Sequence, residues 1–199
     1  MASIGIIGAG KIGLAFAQHA ARAGYDTIIS NSRGPETLQA AVEEIGHGIK
    51  AGTVQEAAAA DIVFLSVTWP QIEKAVSTVP TWEGKLVIDA TNPVLPGFVP
   101  APLNGQPSSQ VVANLVPGAR VVKAFNTILH SLLAASPQEA DGNRVVFYSG
   151  DDQGAKGTVL ELITRLGFAG VDLGTLAEAA KLQQFPGGSL PGLNLIQLK

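Results

Sequence analysis

The chain has 199 residues, of which 46% are hydrophobic and 15% charged, and its formal net charge is −3 at pH 7. These values exclude a disordered chain, and the length suits one globular domain spanning residues 1–199. Without a basic run or a long apolar segment, we expect neither nucleic acid nor a membrane as partner. The chain lacks cysteine and a signal-peptide pattern, so the sequence predicts a cytoplasmic protein without disulfides or thiolate metal sites.

Apolar runs typical of strands alternate with segments of helical periodicity. Several runs are apolar throughout, as expected for strands covered on both faces. The predicted strands are Ser3–Ile7, Thr27–Ser30, Asp61–Val67, Lys85–Asp89, Arg120–Phe125, Arg144–Ser149 and Ala169–Asp172. The first predicted helix begins near Ile12. Three further helices are predicted at Pro35–Ile45, Gln71–Val79 and Thr158–Leu166. The alternation predicts an α/β fold with a doubly wound, mostly parallel sheet.

A glycine motif lies between the first predicted strand and the first helix. Its residues are Gly8, Ala9, Gly10, Lys11, Ile12 and Gly13. In a strand–helix–strand unit this spacing allows a tight turn, a close approach of the backbone to phosphates, and close packing of helix on strand. The helix N-terminus adds free N–H groups and partial positive charge. The motif therefore predicts a site for a dinucleotide pyrophosphate.

The end of the second predicted strand indicates which dinucleotide binds. An acidic residue at this position would bind the ribose 2′-hydroxyl of NAD, but this chain has Asn31, Ser32 and Arg33, and its first acid is Glu36. A serine hydroxyl and a guanidinium group can both donate hydrogen bonds to a 2′-phosphate. We therefore predict NADP(H) as the cofactor. The alternative is that this segment is only a polar turn before the next helix.

Ligands of doubly wound sheets bind beyond the carboxyl ends of the strands. The residues predicted to border the nicotinamide and its reaction partner are Ser66, Val67, Thr68, Trp69, Thr91, Asn92, Asn126 and Thr127. Trp69 could instead be a packing residue before a helix. Asp89 has the position of a structural acid at a strand end, and Lys123 could extend to solvent or serve the site.

Histidine is the remaining candidate for proton transfer. His19 lies in the first predicted helix and His47 in a turn, where we expect structural or solvated roles. His130 follows Thr127 closely enough to reach the same cleft, where it could place or protonate a substrate. No catalytic triad or metal-binding cluster is evident, which fits hydride chemistry carried by a bound cofactor.

Two segments depart from the alternating pattern. Asn92–Pro107 contains five prolines and is predicted to be a long stiff loop beside the site. Phe185–Lys199 is rich in Gly, Pro and Leu, and we expect it to pack irregularly across the domain or onto a partner. Residues 152–199 are predicted to form a small C-terminal helical extension and tail.

Taken in order, these segments resemble the family of NADPH-dependent coenzyme F-420 reductases. The resemblance covers about three quarters of the chain and rests on residues 6–13, 30–35, 61–67, 89–93, 121–127 and 146–152. It implies a Rossmann domain with a small C-terminal extension, a homodimer, and hydride transfer between NADP(H) and a deazaflavin. By position it implies that the glycines hold the pyrophosphate, that Ser32 and Arg33 hold the 2′-phosphate, and that Thr68, Asn92 and Asn126–Thr127 border the nicotinamide and the acceptor.

The identity of the small-molecule electron acceptor stays open. Coenzyme F-420 carries a phosphate and a glutamate tail, yet no lysine or arginine occurs between Ala90 and Ala119 or from Leu182 to Leu198. A flavin, a quinone, an imine or a carbonyl compound is therefore an alternative acceptor. Imine reductases and hydroxyacid dehydrogenases have a large second domain, which we do not expect from a chain of this length. A third alternative is a non-catalytic NADPH-binding sensor or partner module.

Overall fold

A computed structural model describes residues 2–199 of the chain. The strands are β1 (Ser3–Ile7), β2 (Asp26–Ser30), β3 (Lys50–Gly52), β4 (Ile62–Leu65), β5 (Leu86–Asp89), β6 (Val94–Leu95), β7 (Val99–Pro100), β8 (Arg120–Ala124), β9 (Gln138–Glu139), β10 (Gly142–Gly150), β11 (Ala169–Asp172) and β12 (Ile196–Leu198). The central sheet has the order β11-β10-β8-β5-β4-β1-β2-β3, and β9 and β12 also pair with β10. Neighbours from β8 to β3 are parallel, and β10 runs antiparallel to β8. The predicted Rossmann-like α/β fold with a mostly parallel sheet is confirmed.

Eight helices connect the strands in the described part of the chain. They are α1 (Lys11–Arg22), α2 (Gln39–Ile45), α3 (Val54–Ala58), α4 (Ile72–Val76), α5 (Ser108–Leu115), α6 (His130–Ala134), α7 (Gln153–Arg165) and α8 (Leu176–Gln183). Short 3₁₀ turns at Pro35–Leu38 and Trp69–Gln71 precede α2 and α4. Within residues 2–199, no helix has both the length and the apolar character that crossing a bilayer requires.

The predicted strands are all present, whereas the helix predictions were less complete. The helix α7 begins five residues before the predicted start at Thr158. Asp152 caps this helix by accepting a hydrogen bond of 2.6 Å from the Ala155 N–H, and Gly154 and Gly157 obscure the apolar periodicity of its first turns. The segments α3, α5, α6 and α8 were not predicted, because three of them have five to eight residues with little hydrophobic contrast and α5 lies behind a run of prolines.

The two segments predicted to be irregular, Asn92–Pro107 and Phe185–Lys199, contain short paired strands. Within Asn92–Pro107, β6 and β7 form a small antiparallel hairpin around a turn at Gly97, whose φ is +78°. At the C-terminus β12 pairs antiparallel with β10, so the tail packs on this chain's own sheet. The leucines and the isoleucine of the tail do not alternate strictly with polar residues, so this strand was not predicted.

The core lies on both faces of the sheet. On one face Phe16 of α1 stacks on Phe64 of β4 with ring centroids 3.7 Å apart, and Phe125 meets both rings edge-on. The other face buries Trp82 and Val112 against the strands. Because β4 and β5 are buried at every position, the sheet is rigid where their carboxyl ends emerge. That edge of the sheet carries the site.

Candidate functional site

The glycine motif forms a tight turn with an open outer side. Gly8 has a φ of +112°, and a Cβ there would lie 2.6 Å from the Ser66 carbonyl oxygen, so only glycine fits. A Cβ on Gly13 would overlap the Gly8 carbonyl oxygen, which also accepts a hydrogen bond of 2.8 Å from the Ser66 hydroxyl. At Gly10, by contrast, a Cβ would meet no atom within 4 Å. Gly8 and Gly13 are therefore needed to form the turn, whereas Gly10 faces free space.

The turn leads directly into α1, whose N-terminus has no side-chain cap and no acidic residue in its first turn. The first N–H groups of a helix lack intrahelical partners, and the helix dipole concentrates positive charge there. Lys11, the first residue of the helix, is exposed beside them. The open Gly10 face together with an uncapped N-terminus fits an anionic pyrophosphate.

A second polar group lies after β2. The Asn31 side chain donates to the Thr37 hydroxyl at 2.9 Å and accepts from the Arg33 N–H at 2.8 Å. These bonds fix an Asx turn that presents Ser32 and Arg33 to solvent, where both residues are exposed. Within residues 2–199 neither side chain takes part in a hydrogen bond or ion pair, so both can receive a ligand. Asn31 shapes the turn with its side chain, and its predicted contact with the cofactor stays a prediction.

A cleft of about 850 Å³ runs along the carboxyl edge of the sheet. Twelve of the residues predicted for the site line it: Gly10, Lys11, Ile12, Ser66, Val67, Thr68, Trp69, Thr91, Asn92, Asn126, Thr127 and His130. Gly8, Ala9 and Gly13 lie outside the lining, in or beside the glycine turn. Asn31, Ser32 and Arg33 lie beyond the cleft, on the far side of β1. The structure therefore joins residues that are far apart in sequence into one surface.

The strand order gives this surface a direction. From the Ser32–Arg33 turn after β2, the sheet edge passes the ends of β1, β4, β5 and β8 in turn. Four strand spacings separate β2 from β8, which amounts to roughly 19 Å. The Ser32–Arg33 turn thus lies at one end of this sheet edge, and the cleft lies at the other end.

A buried ion pair lies beneath the cleft. The Lys123 ammonium is 3.0 Å from the Asp89 carboxylate, and their side chains are 4% and 0% exposed. Asp89 also accepts hydrogen bonds from Thr91 and from the Ser109 hydroxyl, and Lys123 donates to the Thr91 carbonyl oxygen. Lys123 is therefore structural, as predicted for Asp89. The Thr91 hydroxyl donates to Asp89 at 2.6 Å, so its proton is directed away from the cleft.

The two predicted asparagines bind each other. The Asn92 amide donates to the Asn126 carbonyl oxygen at 2.8 Å, and the Asn126 amide donates to Asn92 Oδ1 at 3.0 Å and to the Gln183 carbonyl oxygen at 2.7 Å. Asn92 Oδ1 also accepts from the Phe185 N–H at 3.3 Å. Their main geometric role is to join the ends of β5 and β8 to the C-terminal segment, which sequence reasoning missed.

Each of the three histidines has a different environment. His130 is exposed at the first position of α6 and lines the cleft, and His47 is exposed in a turn. His19 is buried, with Nε2 2.6 Å from the Leu133 carbonyl oxygen, and burial lowers the pKa of this imidazole. Among residues 2–199 no cluster of three His, Cys, Asp or Glu side chains could hold a metal ion.

The cleft also has apolar walls that were not predicted as site residues. They come from the β6–β7 hairpin (Val94, Leu95, Phe98), from the segment before α6 (Ile128, Leu129) and from the C-terminal segment (Phe185, Pro191). The proline-rich character of Asn92–Pro107 was the one available signal, since it predicted a loop beside the site. Trp69 packs against the core, as the alternative interpretation expected, and it also lines the cleft, so its contact with the nicotinamide stays a prediction.

The first half of the chain matches a known family. Residues 3–93 match the family model described as "NADP oxidoreductase coenzyme F420-dependent". The matched segment includes β1 to β5, and so it contains the glycine turn and the Ser32–Arg33 turn.

Three proteins illustrate what the chain resembles. The hypothetical protein SMa0349 from Sinorhizobium meliloti is 45% identical, with a TM-score of 0.94 over 99% of this chain and 96% of that one. A candidate F-420-dependent NADP reductase from Arthrobacter sp. FB24 is 26% identical, with a TM-score of 0.74 over 90% of this chain and 88% of that one. Metalloreductase STEAP3 of Rattus norvegicus is 30% identical over 190 residues, or 94% of this chain.

The chain spans 37% of the length of that metalloreductase, so this similarity covers only part of the longer relative. The similarity to the Arthrobacter protein, by contrast, extends over most of both chains. The family match over residues 3–93 and this overall similarity show that the chain resembles coenzyme F-420-dependent NADP oxidoreductases.

Proposed function

We propose that this chain catalyses hydride transfer between NADP(H) and a planar acceptor of the deazaflavin or flavin class. The observation that carries the proposal is the order of features along one sheet edge. The free Ser32 and Arg33 side chains, the open turn at Gly10 and the cleft beyond β4, β5 and β8 follow one another in the direction of an extended dinucleotide.

Residues of this chain would hold NADP(H) at three places. The backbone around Gly10 and the uncapped N-terminus of α1 bind the pyrophosphate. Ser32 and Arg33 bind the 2′-phosphate, with the guanidinium fork giving two of the possible hydrogen bonds. Thr68 and Trp69, at the end of β4, border the nicotinamide end of the groove. Thr127 borders it from β8.

When bound, NADPH supplies a hydride, so two electrons and one proton pass to the acceptor ring and a second proton comes from water or a side chain. His130 is the titratable side chain exposed beside the β8 end of the cleft, where it can donate that proton. The apolar walls keep bulk water away from the ring. The chain therefore orients two ring systems and excludes solvent, while the cofactor carries the redox chemistry.

A second candidate function follows from the metalloreductase similarity. Because 94% of this chain matches 37% of a longer reductase, the same fold can serve as an NADPH-binding module that supplies electrons to another protein. The exposed apolar side chains at the cleft mouth are the place where such a partner would receive them.

The two candidates differ in a direct assay. We would measure anaerobic NADPH oxidation with coenzyme F-420, riboflavin, FMN, a quinone and an imine as separate acceptors. The enzyme proposal predicts catalytic turnover with at least one deazaflavin or flavin, and turnover with none of these rings would refute it. Tight NADPH binding without turnover would favour the module. His130→Gln should slow turnover without changing NADPH affinity if His130 donates the proton.

A further inference from the structure

We infer that the acceptor end of the cleft takes an uncharged ring system, and that it disfavours acceptors carrying a phosphate. The acceptor end is defined here as residues 94–98, 127–130 and 185–192, which follow β5 and β8 or belong to the C-terminal segment. The inference rests on the proposed function, because it names the acceptor class for that same site.

Three large apolar side chains from three segments are exposed at this end. Phe98 is 82% exposed at the tip of the β6–β7 hairpin, Leu129 is 51% exposed before α6, and Phe185 is 39% exposed after α8. All three line the same cleft. Exposing this much apolar surface costs free energy, and covering it with an aromatic ring would recover that free energy. The chemistry of the walls therefore suits a flat apolar ligand.

An unusual backbone conformation directs the Phe98 side chain to the cleft. Its φ is +61°, a left-handed conformation that is unfavourable for an aromatic residue. The preceding Gly97 has a φ of +78°, so the hairpin tip turns through two such residues. This turn places the ring at the cleft instead of in the core. Strain of this kind persists where the surrounding structure maintains it, and it is concentrated at ligand sites.

The acceptor end carries almost no charge, which also suits an uncharged ligand. His130 is the one titratable side chain among the described residues 94–98, 127–130 and 185–192. The nearby Lys123 is buried and paired with Asp89, so it cannot reach a ligand. Lys11 also lines the cleft, but it follows β1 at the glycine turn, where the pyrophosphate is proposed to bind, and lies outside the acceptor end. A phosphate on the acceptor would therefore meet apolar walls instead of a cationic partner.

Hydrogen bonds hold the Phe185 wall in place. The Asn126 amide binds the Gln183 carbonyl oxygen, and Asn92 Oδ1 accepts from the Phe185 N–H. Gln183 is fully buried, and its amide donates to the carbonyl oxygens of Lys123 and Phe147. Asn126 and Gln183 are thus positioning residues for the acceptor end, acting through the main chain of the C-terminal segment.

The test compares acceptors that share one ring and differ in charge. Riboflavin and FMN have the same isoalloxazine, and FMN adds a phosphate. We would measure the dissociation constant of each for the NADP⁺-bound protein by flavin fluorescence, and kcat/KM with NADPH. The inference predicts that riboflavin binds and reacts at least as well as FMN. A phosphate-binding site would instead favour FMN by about tenfold or more, and any preference for FMN overturns the inference.

Variants then locate the ring. Phe185→Ala should weaken riboflavin binding by about tenfold while NADPH affinity stays the same, since burial of an aromatic side chain against a ring is lost. Leu198→Ala is the matched control, because Leu198 is 71% exposed on β12 and lies outside the cleft lining. Equal effects of the two substitutions would overturn the placement.

A gained charge provides a second readout. Leu129→Arg should improve FMN relative to riboflavin by about two- to fivefold at low salt, and the gain should vanish at high salt. For the positioning role, Asn126→Leu should raise KM for riboflavin more than it lowers kcat. If riboflavin binds but is never reduced, the proposed function fails and the inference stands. If neither flavin nor a quinone binds, the inference fails.

Discussion

Replacing Lys123 by methionine should destabilise the fold strongly and loosen the cleft floor. The Nζ–Oδ2 distance to Asp89 is 3.0 Å, and at an effective dielectric constant of 20 this corresponds to about 5.5 kcal/mol of attraction. Removing one partner of a buried pair typically costs about 3–5 kcal/mol, because the other charge stays buried without compensation. Asp89 retains three hydrogen bonds from Thr91 and Ser109, which favours the lower end of that range.

We therefore expect Lys123→Met to lower the free energy of unfolding by about 3 kcal/mol, measured by urea denaturation at neutral pH. The pair Lys123→Met and Asp89→Asn should be less destabilised than the sum of the single variants, because the double variant leaves no buried charge. A loss below about 1 kcal/mol for Lys123→Met, or strict additivity, would refute the assignment of a buried, mutually compensating pair. Lys85→Met is a useful comparison, because Lys85 binds only main-chain carbonyl oxygens.

Three further predictions follow from the glycine turn and from His19. Gly13→Ala should lower the stability by about 1–3 kcal/mol, because its Cβ would overlap the Gly8 carbonyl oxygen, and a thermal melt checks this. Gly10→Ala should leave the melting temperature unchanged and weaken NADPH binding by about tenfold or more, since its Cβ would occupy the space where phosphate approaches. Burial lowers the pKa of His19 below its ordinary value of 6.5, so the unfolded chain binds the proton first as the pH falls. The contribution of neutral His19 to stability is complete above about pH 6.5 and is lost as the pH falls through the lowered pKa. The His19→Gln variant should therefore lose less stability than the wild type between about pH 7.5 and 5. An equal loss in the two proteins would contradict this.

The strands and the glycine turn could be predicted from sequence because local chemistry determines them. Runs such as Ile62–Leu65 are buried on both faces, and no helical period fits them. Gly8 is required by its positive φ and Gly13 by the Gly8 carbonyl oxygen five residues earlier, so the spacing carries this information, whereas the close approach of Ser66 to Gly8 is a long-range contact. Ser32 and Arg33 were predicted because no acid directly follows β2 and both can donate to a phosphate; the structure adds the Asx turn at Asn31 that exposes them, and their contact with the cofactor stays a prediction.

The apolar end of the cleft could not be predicted in this way. Phe98, Leu129 and Phe185 belong to three segments that meet only because β5, β8 and the C-terminal segment converge. Each is an isolated apolar residue in a loop, and sequence alone does not separate such a residue from a core residue. Lys123 was ambiguous for the same reason, since its partner Asp89 is 34 residues away.

The central claim is that an NADP(H) 2′-phosphate binds at Ser32 and Arg33, and calorimetric titration tests it most directly. NADPH and NADH would be titrated into the wild type, Arg33→Ala and the control Arg22→Ala, an exposed arginine at the far end of α1. The account predicts that Arg33→Ala weakens NADPH by about 10- to 100-fold, which corresponds to the 1.5–3 kcal/mol of a charged hydrogen bond, and leaves NADH within about twofold. Equal losses for both nucleotides, or a wild type that gives no heat with NADPH, would contradict it.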